Sequence, residues 1–332
     1  MGTAERARAA RPRRTALEAP VIIRLSRTTT AEVQRRMLEI REEGGVVALG
    51  RVLTLVIHTQ IGAEEEAIRA ANQASREHPM RVIVVSRNPD HVNADEEPRL
   101  DAELRVGADA GASEVVLLQC YGELGSHLLG IVQGLLLPDA PVVAWWPSFM
   151  PETPSASQLG QISQRRITDS GKQADPHAAI LRLAGCYRPG DTDLAWTRLT
   201  NWRAHLAALL DQPPFEPVHG GVVSGDLGNP SVHLMAAWLQ LRLRVPIEKV
   251  EAGETPTGSS GLHAVELHRS SGESSLTRVR DSVGILRQPG QPEHHVALST
   301  RGLEDQLAEE LRKLAPDDMY RQVLASTLEE AA

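Results

Sequence analysis

Apolar positions recur along this chain with two alternating periods, and the switches between them mark out its elements. Over residues 30–43, Val33, Met37 and Ile40 return at helical spacing, with Thr30 placed to cap the first turn and Gly44-Gly45 to end the last. Residues 46–59 are mostly aliphatic and predict a strand. Residues 64–77 predict an amphipathic helix with Ile68, Ala71 and Ala74 inward and His78-Pro79 as its stop. Arg81-Val82-Ile83-Val84-Val85 is a continuous β-branched run, the mark of a strand covered on both faces. Residues 100–106 alternate, as a half-buried strand does. Residues 114–121 predict another buried strand and residues 124–137 a helix. This succession is that of an α/β sheet with helices on its faces, over about residues 21–150.

The last strand of that series ends Val142-Val143-Ala144-Trp145-Trp146-Pro147. Neighbouring side chains on a strand face opposite sides, so Trp145 and Trp146 belong to different layers. One ring fills the core; the other goes to the opposite layer, a crevice or a partner. Pro147 stops the strand. A parallel strand ending on a large amphipathic ring suits the rim of a binding crevice. Packing of both rings under covering helices is the alternative.

Beyond this point the texture changes. Residues 147–160 hold Pro147, Pro151 and Pro154 among Ser and Thr, as a linker or lid loop does. Residues 167–170 predict a short strand followed by a turn. Residues 175–184 predict a helix capped by Asp175 with Pro176 in its first turn. Residues 196–210 predict a helix carrying Trp196, Leu199, Trp202, Leu206 and Leu209; residues 217–226 a strand; residues 230–243 a helix closed by Pro246. Between 246 and 300, short alternating segments separated by Gly/Ser/Pro turns predict an antiparallel meander, and residues 302–314 and 317–330 two closing helices. The expected fold class is therefore α/β: an N-terminal α/β sheet domain (21–150) after a basic tail (1–20), then an α+β domain (151–332) with the meander and C-terminal helices.

Composition narrows the function. The chain has 332 residues, 41% of them hydrophobic, and a net charge of −8. Arg6, Arg8, Arg11, Arg13 and Arg14 make the tail basic, so the body is more acidic still, which argues against nucleic acid as the main partner. The tail is either a disordered extension or a basic arm for an acidic partner. No apolar stretch approaches the ~18 residues that span a membrane, and Val21-Ile22-Ile23 is followed at once by Arg24, so no signal peptide is expected and a cytoplasmic location is. The two cysteines, Cys120 and Cys186, lie in apolar segments without ligand spacing and read as reduced, buried thiols.

Chemistry is sparse. The sequence contains no G-x-G-x-x-G, no Walker A, no G-x-S-x-G and no H-E-x-x-H. Gly107-Ala108-Asp109-Ala110-Gly111 leads into a strand rather than a helix N-terminus, so it reads as a plain loop. The histidines are scattered, and neither a metal nor a cofactor is expected. His78 and Arg81 either face an anion or form a tight helix-to-strand turn. Asp169 and Ser170, at a strand end, either cap a turn or bind a hydroxyl. Arg198 and Arg203 could stack on a ring, fork onto a carboxylate or belong to a solvated face.

Four segments taken together, His78 to Val85, Leu135 to Pro147, Arg166 to Ser170 and Asp193 to Arg203, resemble in order and spacing the OpcA family, the glucose-6-phosphate dehydrogenase assembly proteins of actinobacteria and cyanobacteria. The resemblance runs from about residue 22 to 325. Asn201 stands where proline is common in the family, and thiol regulation is not carried over to Cys120 or Cys186. The resemblance implies a non-catalytic effector that binds glucose-6-phosphate dehydrogenase, favours its active oligomer and so supports NADPH supply in the oxidative pentose phosphate pathway. No small-molecule effector follows from it. Expected contacts are whichever of Trp145, Trp146, Trp196, Arg198, Trp202 and Arg203 prove exposed. The competing reading is a nucleotide- or sugar-phosphate-binding enzyme or metabolite sensor, with Asp169, Ser170, His78 and Arg81 lining the sheet-edge crevice.

Overall fold

The computed structural model describes residues 21–43, 51–88, 97–106, 114–253 and 261–331. The tail, Gly44-Gly45 and residues 107–111 lie outside them.

The first sheet contains β1 (Val21–Leu25), β2 (Leu53–Gln60), β3 (Met80–Arg87), β4 (Arg99–Val106), β5 (Glu114–Tyr121), β6 (Val142–Trp145), β7 (Arg165–Thr168) and β8 (Asp191–Asp193). Their order across it is β1-β4-β5-β3-β2-β6-β7-β8. From β5 to β8 all neighbours are parallel, while β4 and β1 add an antiparallel margin. The six parallel strands, renumbered in chain order, run 3-2-1-4-5-6, the doubly wound order of dinucleotide-binding sheets, with its switch point between β2 and β6.

Alternation on these strands feeds two cores. Leu55 and Ile57 of β2, Val82 and Val84 of β3 and Trp145 of β6 pack on one face against helix α2 (Glu64–Ala74). Val56, Ile83, Val85 and Trp146 pack on the other, against Val33 and Met37 of α1 (Thr30–Glu43) and Leu128, Ile131 and Val132 of α3 (Leu128–Val132). The two adjacent indoles thus sit in different layers, as strand geometry requires. Both are sealed under helices.

The remaining helices are α4 (Gln158–Gln161), α5 (Pro176–Cys186), α6 (Leu194–Thr197), α7 (Thr200–Leu210), α8 (Pro230–Leu243), α9 (Leu303–Arg312) and α10 (Asp318–Ala331). The second sheet runs β10-β9-β11-β12-β13-β14, from β9 (Gly220–Gly225), β10 (Ile247–Glu251), β11 (Leu262–Arg269), β12 (Gly272–Arg280), β13 (Val283–Arg287) and β14 (His294–Ala297). The expected meander is β11 to β14; β10 instead joins β9 in parallel after the crossover through α8. Its core gathers α5, α7, α8 and α10 around Trp196 and Trp202.

Two expectations need correction. The first sheet does not end near residue 150: β7 and β8 extend it, and α9 returns to cover it with Leu307, Ala308 and Leu311 beside Trp145. The predicted helix over 124–137 is broken into a 3-10 turn, α3 and another 3-10 turn. Gly125, Gly130 and Gly134 weaken helix continuity there.

Candidate functional site

The switch point of the parallel sheet opens a crevice of about 530 Å³ at the carboxyl ends of β2, β3 and β6. His58, Arg87, Trp146, Phe149 and Met150 line it. The proline-rich segment after β6 forms its wall, since residues 149–152 and 157–159 face it. In a nucleotide-binding sheet of this order, a glycine turn after the first strand and the following helix N-terminus would cradle phosphate. Here that place is taken by a carboxylate. Glu64, the first residue of α2, is buried and accepts from the Gly62 amide at 2.6 Å, the Ser86 hydroxyl at 2.7 Å and the Gln119 amide at 3.0 Å. Glu65 and Glu66 follow it in the same turn. Three acids suit the helix dipole and repel a phosphate.

His58 is one of the titratable groups that line this crevice. Burial first, and the Arg87 charge second, hold its pKa down to about 3, so it is a neutral imidazole. Its Nε2 has no hydrogen-bond partner and its ring meets Phe149 edge-on at 4.7 Å. Among the described residues lining the crevice, no nucleophile pairs with it. Cys120, whose thiol burial pushes up to about 12, is sealed in the neighbouring core; Cys186 is also raised, by burial first, and both are free thiols.

The strand-end pair Asp169 and Ser170 is placed beside this crevice and is consumed internally. Asp169, fully buried, receives both terminal nitrogens of Arg198 at 2.8 and 2.6 Å, a bidentate fork. It neither caps a turn nor awaits a hydroxyl. The Ser170 hydroxyl donates to Asp193 at 2.7 Å. Asp193 also accepts from the Thr168 hydroxyl at 2.7 Å, the Ser170 amide at 2.8 Å and the Ala195 amide at 2.9 Å, capping α6. Burial first, then the Asp169 charge, pushes its pKa up. The sequence reading missed Asp193 as the hub, because β8 is three polar residues with no apolar signal.

His78 and Arg81 do not join that pair. His78 precedes β3 and Arg81 is its second residue, whereas Asp169 and Ser170 follow β7, so the two pairs lie at opposite ends of the parallel strands. Arg81 is buried, donating to Glu114 at 2.9 Å and to the Leu135 carbonyl at 2.6 Å.

The indoles are not a grip on anything outside the fold. Trp145, Trp146, Trp196 and Trp202 are exposed by only 0%, 1%, 2% and 2%. Trp196 donates from Nε1 to Asp317 at 2.9 Å and carries the Arg203 guanidinium 3.6 Å above its ring. Arg203 is thereby committed to the second core. Trp202 and Arg198 border a small cleft on the second sheet's side. Glu266, His268 and Glu273 bring one ligand atom each within 4.8 Å on β11 and β12, a grouping created by strand register and invisible in sequence spacing.

Among the described residues, no helix is long and apolar enough to cross a membrane. No curated protein matches the sequence. Similar solved structures include an oxidoreductase from Sinorhizobium meliloti, at 11% identity over 84% of this chain and 87% of that chain with a TM-score of 0.42. Another is an oxidoreductase from Pseudomonas syringae, at 10% identity over 84% and 89% with a TM-score of 0.36. Two family models cover most of the sequence. The N-terminal domain of the glucose-6-phosphate dehydrogenase assembly family matches residues 71–185, and the C-terminal domain of the same family matches residues 189–324. With both halves matched in order, the chain belongs to the OpcA family of glucose-6-phosphate dehydrogenase assembly proteins.

Proposed function

We propose that this chain is a non-catalytic cytoplasmic partner of glucose-6-phosphate dehydrogenase that favours the enzyme's active oligomer and so supports NADPH production in the oxidative pentose phosphate pathway. The observation that carries the reading is the ordered match to both domains of that family. The sheet order favours a second reading, a nucleotide site at the switch point; the Glu64 carboxylate in the phosphate position weighs against it.

An effector of this kind acts by binding the active conformer more tightly than the inactive one. With the indoles buried, another anchor is needed. Phe215 is 72% exposed, the most open of the large exposed apolar residues described. It lies between α7 and β9 with φ at +52°, a left-handed conformation that a bulky side chain adopts only at a cost. Its flanks are pinned: the Pro213 carbonyl accepts from Gln291 at 3.0 Å and Glu216 accepts from the Ser271 amide at 2.9 Å. A rigidly presented aromatic suits an interface centre.

Mixing the full chain with its cognate dehydrogenase is expected to give co-elution and a higher activity or lower KM. Phe215→Ala is expected to weaken the complex by roughly tenfold or more, the scale of a lost aromatic anchor, while leaving the fold intact. No co-elution and no kinetic effect, with both proteins folded, would overturn the reading.

A further inference from the structure

Among the described residues of this acidic chain, the cleft bordered by Trp202 is where arginines converge without acids. It measures about 110 Å³ and is lined by Arg198, Arg278 and Arg301, with no Asp or Glu among its lining residues. Two of these charges are already balanced from behind: Arg198 by the fork onto Asp169, and Arg301 by Glu309.

Arg278, on β12, differs. It is 9% exposed, and among the described residues the acid that acts on its charge is Asp281, which forms no ion pair with it. One terminal nitrogen reaches the Thr300 hydroxyl at 2.5 Å and the Asp281 carbonyl at 3.3 Å, while its Nε is buried with no partner. Its guanidinium carbon stands 5.5 Å from the Trp202 ring centre. Burial disfavours its charge, yet a guanidinium does not surrender its proton in a protein. Among the described residues, only the Asp281 charge acts on it, and from beyond ion-pair distance, so the cation is desolvated and incompletely balanced, a costly arrangement that an anion would relieve.

A second feature points the same way. Helix α8, 14 residues long, begins at the cleft with Asn229 as its N-cap; Ser231 borders the space with its amide given to Asn229 and its hydroxyl to the Ala195 carbonyl, so α8 contributes the field of its dipole. The positive end of its dipole favours an anion there. The space is suited to a tetrahedral group: one ordered water needs roughly 10–15 Å³ of such volume, so the cleft holds several waters or one phosphoryl group. Leu199, Trp202 and Leu262 supply apolar walls that keep the charge interaction strong.

We propose that this cleft binds a phosphate dianion, either free or as the terminal group of a small phosphomonoester, with Arg278 as its principal partner and Arg198 and the start of α8 as support. The site is distinct from the sheet-edge crevice. It is measurable on this chain alone, so it stands or falls separately from the dehydrogenase reading.

The test is calorimetric titration and thermal unfolding of the full chain with inorganic phosphate, a hexose 6-phosphate and the unphosphorylated hexose, at ionic strength matched with sodium chloride. Inorganic phosphate, the hexose phosphate or both are expected to bind and raise Tm, and the bare hexose to do neither. Tighter binding of the hexose phosphate assigns the site to a phosphomonoester; equal affinity assigns it to the free ion. Arg278→Met is expected to weaken binding by roughly tenfold to a hundredfold, the scale of a lost charge-assisted bond, while leaving the ligand-free Tm unchanged or higher. Ser299→Asp, an exposed change at the mouth, is expected to weaken binding by repulsion without altering the fold. A flat response to both phosphates, a shift that sodium chloride reproduces, or binding that survives both substitutions overturns the proposal.

Discussion

Trp145 and Trp196 are both buried and differ in what their indole nitrogens meet. Trp145 Nε1 has no hydrogen-bond partner, whereas Trp196 Nε1 donates to Asp317 and the ring carries Arg203. Trp145→Phe removes volume but also an unsatisfied donor; Trp196→Phe takes from Asp317 Oδ2 the indole donor and leaves a smaller ring under Arg203. Denaturant unfolding is expected to show the second substitution costing more, by about 1–3 kcal/mol. His58 carries a pH signature. Its native pKa near 3 lies below that of the unfolded side chain, so below about 6.5 the unfolded state takes up a proton that the native state refuses. Stability is therefore expected to fall as pH drops from about 6.5 towards 3, by at most about 5 kcal/mol from this group, with no loss above that window. His58→Leu should flatten that part of the profile in acid-unfolding curves. The sequence foretold the separate layers of Trp145 and Trp146, which need only period two. It left a fork, a stack and a solvated face open for both Arg198 and Arg203, because the carboxylate and ring they meet depend on distant segments. Burial of all four candidate rings depends on helices that arrive from elsewhere in the chain.

At the scale of elements, strong periodicity was legible and polar or short pieces were not. The helices at 30–43 and 230–243, the strands around Val82 and Val116 and the meander stand where the pattern put them. β8 escaped notice because Asp191-Thr192-Asp193 has poor strand propensity and is held by side-chain bonds: Arg166 pairs with Asp191, and Asp193 collects four donors. The helix expected over 196–210 is interrupted at Arg198-Leu199. Thr197 leans its hydroxyl back toward the Asp193 carbonyl and onto Glu310, a contact that bends helices. Helix α2 carries the clearest element-level test. Glu64 ties its first turn to β3 and β5 through Ser86 and Gln119. Glu64→Gln turns an amide toward donors that need an acceptor. Thermal or urea unfolding is expected to register a loss of about 1–3 kcal/mol.

Across the whole molecule, the segment that follows the second sheet is tied back to the first. Arg165 of β7 pairs with Glu310 of α9, which also receives the Thr197 hydroxyl of α6, and the Ala315 carbonyl accepts from Arg165 at 3.0 Å. The boundary placed at residue 150 from proline content misses this, because composition marks where a chain turns and not where it comes back. Helix α9 is that return: Leu307, Ala308 and Leu311 close over Val82, Trp145 and Ile167. During synthesis the ribosome finishes every strand of the first sheet well before it makes α9. The part of that wall which α9 closes, beside the early helix α2, therefore stays greasy and uncovered while the whole second sheet is being translated, a stretch in which a nascent chain is open to aggregation or to a chaperone's hold.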